Sequence, residues 1–170
     1  MNKIVEYLDE LIPNPRCELN YNKDYELLLA TMLSAQTTDK RVNEVTSILF
    51  KKYDSLAKLR KAKIEDIIEI IRPIGTFNKK ASNVIEIAKR LEEVGDKVPN
   101  DREFLESLPG VGRKTANVVL SNIYNIECIA VDTHVHRVSI RLGLANKNDD
   151  VLKTEMKLTK KFKDYNLCRL

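Results

Sequence analysis

Glu103 to Val119 reads EFLESLPGVGRKTANVV, and the fold is decided there. A short amphipathic helix stops at Pro109, a second begins near Arg113, and Gly110, Val111 and Gly112 stand between them. That pattern predicts a helix, a tight hairpin and a helix. Glycine tolerates positive φ and has no Cβ to obstruct a close approach. The N–H groups of residues 110–112 and the N-terminus of the next helix are therefore predicted to converge on one anion. A nucleic-acid phosphate suits that place, because such a contact positions a protein without reading base sequence. An ordinary glycine-rich turn is the plainer alternative. In the second helix Ala116, Val119, Leu120 and Ile123 form a stripe at i, i+3, i+4 and i+7, which leaves Arg113 and Lys114 off the packed face.

The same periodicity extends outward along the chain. Five glycines and five prolines punctuate 170 residues, and apolar residues recur at spacings of three and four, so an all-α fold is expected. Helices are predicted at about residues 2–12, 25–35, 39–53, 63–72, 78–94, 101–107, 113–124, 133–142 and 149–162. Asn100 with Glu103 has the form of a capping box, Asp54 and Ser55 can cap the segment after them, and Gly95 and Gly143 stand where helices should stop. The apolar run CIAV at Cys128–Val131 reads as a short buried extended segment. KASNVI at Lys80–Ile85 and KTANVV at Lys114–Val119 echo one another, either as related helical units or as chance similarity between two amphipathic helix starts.

Length and composition bound the rest. A chain of 170 residues holds one or two compact units. With 43% hydrophobic and 32% charged residues it reads as an ordinary globular protein. No stretch approaches the roughly 20 apolar residues of a membrane span. The opening MNKIVEYLDELIPNP lacks the apolar core and cleavage site of a secretory signal, so a cytoplasmic location is expected. Cys17, Cys128 and Cys168 are odd in number and widely spaced, so no disulfide and no metal site is assigned to them. A formal net charge of +4 favours a polyanionic partner.

Two residues have the makings of chemistry. Lys114 falls in the first turn of its helix, where the macrodipole and the neighbouring Arg113 disfavour a cation and so favour the neutral amine that a nucleophile requires. A surface lysine that touches phosphate is the competing reading. Asp132 stands second in VDTHVHR, at a helix start where a carboxylate is stabilised as an anion and where an aspartate is most often simply an N-cap. The spacing allows the two to meet. A helix from Arg113 to Tyr124 travels about 18 Å, and the seven residues Asn125–Val131 can return up to about 23 Å. His134 and His136 read equally well as packing or capping residues.

Three segments resemble one family. LPGVGRKTANVVLSNIYNIECIAVDTHVHRVSIRLGLA, LLLATMLSAQTTDKRVNEVT (Leu27–Thr46) and IRPIGTFNKKASNVIEIAK (Ile71–Lys89) are similar to the endonuclease III family of bifunctional DNA glycosylases and abasic-site lyases. The likeness runs from near residue 4 to about residue 150. It implies a two-lobed, all-α helix-hairpin-helix glycosylase fold with a DNA groove between the lobes. Residues of about 18–126 would form a six-helix lobe carrying the hairpin (about 108–114), and residues 1–17 with 127–170 a discontinuous second lobe. By the same resemblance Lys114 is the Schiff-base nucleophile and Asp132 the catalytic carboxylate. Gln36 matches the residue that fills the gap left by the extruded nucleotide, and Gly75 to Lys80 matches a loop that approaches the opposite strand. Gly110, Val111, Gly112 and Arg113 match the phosphate-binding hairpin. Thr76 stands where the family has a bulky apolar wedge. Double-stranded DNA with damaged pyrimidines or abasic sites is the implied partner, and the protein is expected to act as a monomer.

The resemblance ends near the C-terminus. The family holds a 4Fe–4S cluster on four cysteines spaced C-x6-C-x2-C-x5-C, whereas here only Cys168 lies near Leu170. One cysteine cannot replace four thiolates, so no cofactor is expected. The tail KLTKKFKDYNLCRL does not resemble the family, so the second lobe is expected to be incomplete, with apolar surface uncovered on the helices at 2–12 and 133–142. A helix-hairpin-helix module that binds DNA without catalysis is the alternative function.

Overall fold

A computed structural model of the chain describes residues 3–163. Its elements in order are α1 (Lys3–Leu11), α2 (Asp24–Leu33), α3 (Asp39–Lys52), α4 (Leu56–Arg60), α5 (Ile64–Ile71), a 3-10 turn (Arg72–Ile74), α6 (Phe77–Glu92), α7 (Arg102–Ser107), α8 (Arg113–Tyr124), α9 (Thr133–Arg141) and α10 (Val151–Lys161). Among the described residues there is no strand, and no helix is long and apolar enough to cross a membrane.

The fold is organised around α2. Its sequence DYELLLATML is apolar on nearly every face, and every residue from Tyr25 to Leu33 is buried. A helix of that kind can only lie at the centre of a bundle. It packs on α3, α6 and α8, while α6 covers α4 and α5. Together these helices enclose one apolar core that runs in sequence from Leu19 to Cys128. A separate, smaller cluster joins Val5 of α1, Ile129 and Val131 of the return segment, and Leu158 and Phe162 at the end of the chain's last described helix. Against that cluster lies an apolar groove of about 240 Å³, lined by Leu8, Val138, Leu142 and Leu144 among others. The outer faces of Tyr7, Leu11, Ile12 and Leu142 are exposed, on the two helices where the sequence predicts uncovered apolar surface.

Local signals explain most boundaries. Thr38, Ser55, Asp101, Asp132 and Asp150 each accept a backbone N–H at a helix start, which satisfies donors that the helix itself cannot. Two details differ from the sequence reading. The α7 cap is Asp101 rather than Asn100, since Asp101 Oδ1 takes the Phe104 N–H at 3.1 Å. Helix α4 lies in a stretch where the periodicity predicts none. At five residues it is too short to show a helical period, and it forms because Ser55 caps it and Leu56 and Leu59 are buried. Gly143, at φ 68, ends α9 as expected by letting the Leu144 N–H reach back to the Ser139 carbonyl at 2.8 Å.

Candidate active site

The hairpin is a turn with a defined chemistry. Val111 N–H bonds to the Leu108 carbonyl at 3.1 Å, with Pro109 and Gly110 (φ 77) at the two central positions. That is the pattern of a type II turn, in which proline is favoured first and positive φ is required second. Gly110 is also a packing requirement, because a Cβ there would lie 2.5 Å from Asn83 Nδ2 and 3.3 Å from Met32 Cγ. The turn corrects the expectation for Val111. Its N–H is committed to the turn and its side chain is buried, so it shapes the hairpin and does not face an anion. Gly112, the N-cap of α8, offers no side chain to close the first-turn amides, which leaves those donors for an outside acceptor.

Lys114 and Asp132 meet. Lys114 Nζ donates to Asp132 Oδ2 at 2.9 Å, from a lysine that is 53% exposed. The other carboxylate oxygen, Oδ1, accepts the N–H groups of His134 (2.9 Å) and Val135 (2.8 Å) at the start of α9. The capping role and the pairing role of Asp132 therefore coexist, one on each oxygen. Burial pushes the Asp132 carboxyl up, but the hydrogen bonds from Lys114, Val135 and His134 outweigh it and hold the group below the usual carboxylate range. This carboxylate stays ionised.

The return of the chain is fixed by Asn117, which the sequence reading missed. Helix α8 ends at Asn125, which adopts φ 52, and the chain doubles back along the helix. Asn117 is fully buried, three residues beyond Lys114. Its Nδ2 donates to the Ile129 carbonyl at 3.0 Å, and its Oδ1 accepts from the Arg102 guanidinium. Cys128 Sγ adds a contact to the Asn117 backbone carbonyl at 3.4 Å. Cys128, Ile129 and Val131 are buried and Ala130 half-buried, but the segment is not fully extended: it bends at Ala130, where the Val131 N–H turns onto the Ile129 carbonyl at 3.1 Å. Asn117 thus bolts down the residues just before Asp132. A carboxamide inside an otherwise apolar helical stripe was the available signal.

Arg113, 42% exposed, does not stand free: it makes a two-pronged contact with Glu155 of α10, Nε to Oε2 at 2.9 Å and NH2 to Oε1 at 2.8 Å. Glu155 is only 8% exposed, and its bond to Arg113 raises the guanidinium's pKa further. The pair clamps α8 to α10, and Glu155, in a basic stretch far along the chain, carries no sequence signal. Lys80, like Val111, is corrected. It is 6% exposed, its ammonium donates to the carbonyls of Leu33 (2.9 Å), Ala35 (2.9 Å) and Ile74 (3.2 Å), and burial lowers its pKa below that of an ordinary lysine. It presents no charge to the surface. Gln36 and Gly75 are exposed, both at positive φ. His136 Nδ1 meets the Thr154 hydroxyl at 2.7 Å and joins α9 to α10. His134 Nδ1 lies 3.1 Å from the Arg137 guanidinium, so it acts as the acceptor there.

A cleft of about 420 Å³ opens beside Lys114, between the large core and the small cluster. Thr31, Ser34, Asp39, Ser121, Asn122 and Val135 line it with Lys114, so that polar and apolar groups share its wall. Among the described residues no group of three or more His, Cys, Asp or Glu side chains could hold a metal ion. A cluster with four thiolate ligands does not fit a chain with three cysteines, of which Cys168 lies outside the described residues.

Residues 29–164 match the family described as HhH-GPD superfamily base excision DNA repair protein. The chain is 48% identical over 146 residues to endonuclease III of Rickettsia conorii, which covers 85% of this chain and 70% of that protein. It is 43% identical over 158 residues to endonuclease III of Bacillus subtilis, covering 92% and 72%. Among solved structures it superposes on a trapped endonuclease III–DNA covalent intermediate in an estranged-adenine complex, with a TM-score of 0.90, 40% identity, and 98% of this chain and 82% of that one covered. A non-covalent endonuclease III–DNA complex gives a TM-score of 0.88 at 43% identity, covering 93% and 74%. With its hairpin, its lysine–carboxylate pair and these likenesses, the chain belongs to the endonuclease III family within the helix-hairpin-helix superfamily of base-excision DNA repair proteins.

Proposed function

We propose that this chain is a bifunctional DNA glycosylase and abasic-site lyase of base excision repair, which removes oxidised pyrimidines and then cuts the strand by β-elimination through a Schiff base on Lys114. The observation that carries the reading is the pair itself. An amine lies 2.9 Å from an ionised carboxylate, behind a glycine hairpin and at the edge of a cleft of about 420 Å³, large enough for one extruded nucleotide.

The steps follow from the geometry. Gly110, Gly112 and the first-turn amides of α8 hold a backbone phosphate, and the damaged nucleotide rotates out of the stack at a cost of a few kcal/mol. Positive charge then develops at C1′ as the bond to the base lengthens. Asp132, held as an anion, stabilises that charge. Lys114 gives up a proton, which the departing base takes up, and its Nζ lone pair forms the bond to C1′ as the base leaves with the electrons of the glycosidic bond. Opening of the sugar ring gives the imine, which acidifies C2′. Loss of a C2′ proton expels the 3′ phosphate, and water returns the amine. No step requires a metal or a cluster.

Gln36 fills the space that the nucleotide vacates, and the loop at Gly75 approaches the opposite strand. The chain works as a cytoplasmic monomer in two lobes, residues 18–126 and residues 1–17 with 127–170, of which 1–2 and 164–170 lie outside the described residues; the two apolar clusters support the division, with Cys128 the one residue of the larger cluster beyond the boundary. It carries no 4Fe–4S cluster, so the purified protein is colourless, without absorbance near 400 nm.

Borohydride trapping tests the reading. Duplex DNA bearing thymine glycol or an abasic site is expected to yield a covalent adduct with the chain and none with Lys114→Ala. Binding without an adduct in the unaltered chain refutes catalysis and leaves a DNA-binding module.

A further inference from the structure

Two exposed loops, one of them following the end of α2 whose Thr31 and Ser34 line the cleft, are held in a conformation that their own residues disfavour. Gln36 adopts φ 60 and Thr76 φ 42, although neither is glycine and threonine is β-branched, for which the left-handed region is an outlier. Such backbone persists only where its surroundings over-determine it. In the first loop the Thr37 N–H closes a turn on the Ser34 carbonyl at 3.0 Å. In the second, Gly75 (φ 66) leads into Thr76 at the start of α6. The two lie about 40 residues apart in sequence.

One buried group joins them. The Lys80 ammonium has three protons and meets three carbonyls: Leu33 and Ala35 at the end of α2, and Ile74 immediately before Gly75. The helix C-terminus, the negative end of the α2 dipole, is a favourable place for that cation. With 6% of the residue exposed, water does not compete for those carbonyls. Residues behind the clasp reach the rest of the site. Thr31 and Ser34 on the same end of α2 line the cleft with Lys114, and Asn83, one turn along α6 from Lys80, frames Gly110 together with Met32.

We propose that Lys80 is a positioning residue for base extrusion. Without touching DNA, its ammonium locks the Gln36 loop and the Gly75–Thr76 loop into a single stiff edge that presses into the duplex at the damaged pair. The inference rests on the reading that a duplex lies across these loops with the damaged nucleotide in the cleft. Its physical basis is that displacing a stacked base requires groups that do not yield when pushed. Two exposed loops of strained backbone would yield, each by itself, but for the common anchor. Thr76 is small, so stiffness of the loop substitutes for side-chain bulk.

The test compares the full chain with Lys80→Met, which keeps the length of the stem and removes the ammonium, and Lys80→Arg, which keeps a cation. Hydrogen exchange read by mass spectrometry is expected to show peptides covering 34–37 and 75–77 losing protection together in Lys80→Met, with less change in Lys80→Arg. Single-turnover base release from a paired duplex with thymine glycol is expected to fall by about 10²-fold in Lys80→Met, the order of loss that an ångström of misplacement produces. The same lesion placed in an unpaired bubble, where stacking no longer resists, is expected to lose several-fold at most. Equal losses on both substrates, or none on either, overturn the proposal, as does exchange that rises in one loop alone. If Lys80→Met does not fold, Lys80→Arg is judged by the same two ratios, and failure of both to fold overturns the positioning role in favour of a purely structural one. An unaltered chain that releases no base from either substrate sinks the glycosylase reading instead, and the exchange data still decide whether the clasp couples the loops.

Discussion

Replacing Asp132 by asparagine separates the two tasks its oxygens perform. The Oδ1 atom caps α9, and asparagine caps as well as aspartate. The Oδ2 atom faces Lys114, and in Asp132→Asn either an amide donor or a neutral oxygen stands there. The ion pair itself adds little to stability, because the partners are 53% and 36% exposed and a pair so screened contributes no more than about 1 kcal/mol. For a chain of this size about 1 kcal/mol moves Tm by roughly 2–4 °C, so the melt should shift by about 4 °C at most. Loss of a fixed anion beside the developing charge at C1′ costs about 2.7–4 kcal/mol of barrier, or about 10²–10³ in rate, by analogy with removal of one electrostatic stabiliser. Asp132→Ala loses the cap too and should melt about another 2–4 °C lower. The assay is single-turnover borohydride trapping beside a thermal melt. The reasoning is refuted if Asp132→Asn traps within a few-fold of the unaltered chain, or if it melts as low as Asp132→Ala.

Three further outcomes are expected of the same structure. Asn117→Leu keeps the volume but removes its bonds to the Arg102 guanidinium and the Ile129 carbonyl, leaving them Glu106 at 3.9 Å and the Val131 N–H, and should lower stability in urea by about 2–4 kcal/mol for two lost bonds, one of them to a charged group; a loss under about 1 kcal/mol contradicts the bolt. Gly110→Ala combines positive φ with a Cβ 2.5 Å from Asn83 Nδ2, and should cost about 2–4 kcal/mol while weakening DNA binding at fixed salt; a neutral substitution shows that Asn83 moves aside. Because the folded pKa of Asp132 is depressed, the stability that this shift confers is complete above the unfolded value of about 3.9 and disappears only as pH falls through the lower folded value. The stability gap between the unaltered chain and Asp132→Ala should therefore be level from about pH 7 to pH 5 and narrow below about pH 4; narrowing near pH 6 would point to a different group.

The bundle was legible because its signals are local. Apolar residues three and four apart mark nearly every helix, and α2 announces its central place by being apolar all round. The hairpin is written in two glycines and a proline, and Lys114 and Asp132 could be joined by counting residues. What escaped the sequence were relations between distant side chains. KASNVI and KTANVV look alike, yet Lys80 is sealed against three carbonyls while Lys114 is half exposed on a carboxylate. No local pattern distinguishes them, since the difference lies in which helix end each faces. Arg113 appeared free for the same reason. Its partner Glu155 is 42 residues away, and only the approach of α10 reveals it.

The apolar groove beside α1 and α9 bears on how this protein should be handled at the bench. Dyes that brighten in greasy crevices will find such a crevice in the native fold, between Leu8, Val138 and Leu142, so their fluorescence will start high and will not report unfolding faithfully. Tryptophan emission offers no substitute, as the chain has none. Ellipticity at 222 nm, strong in a molecule built of helices, is the signal by which its variants should be compared.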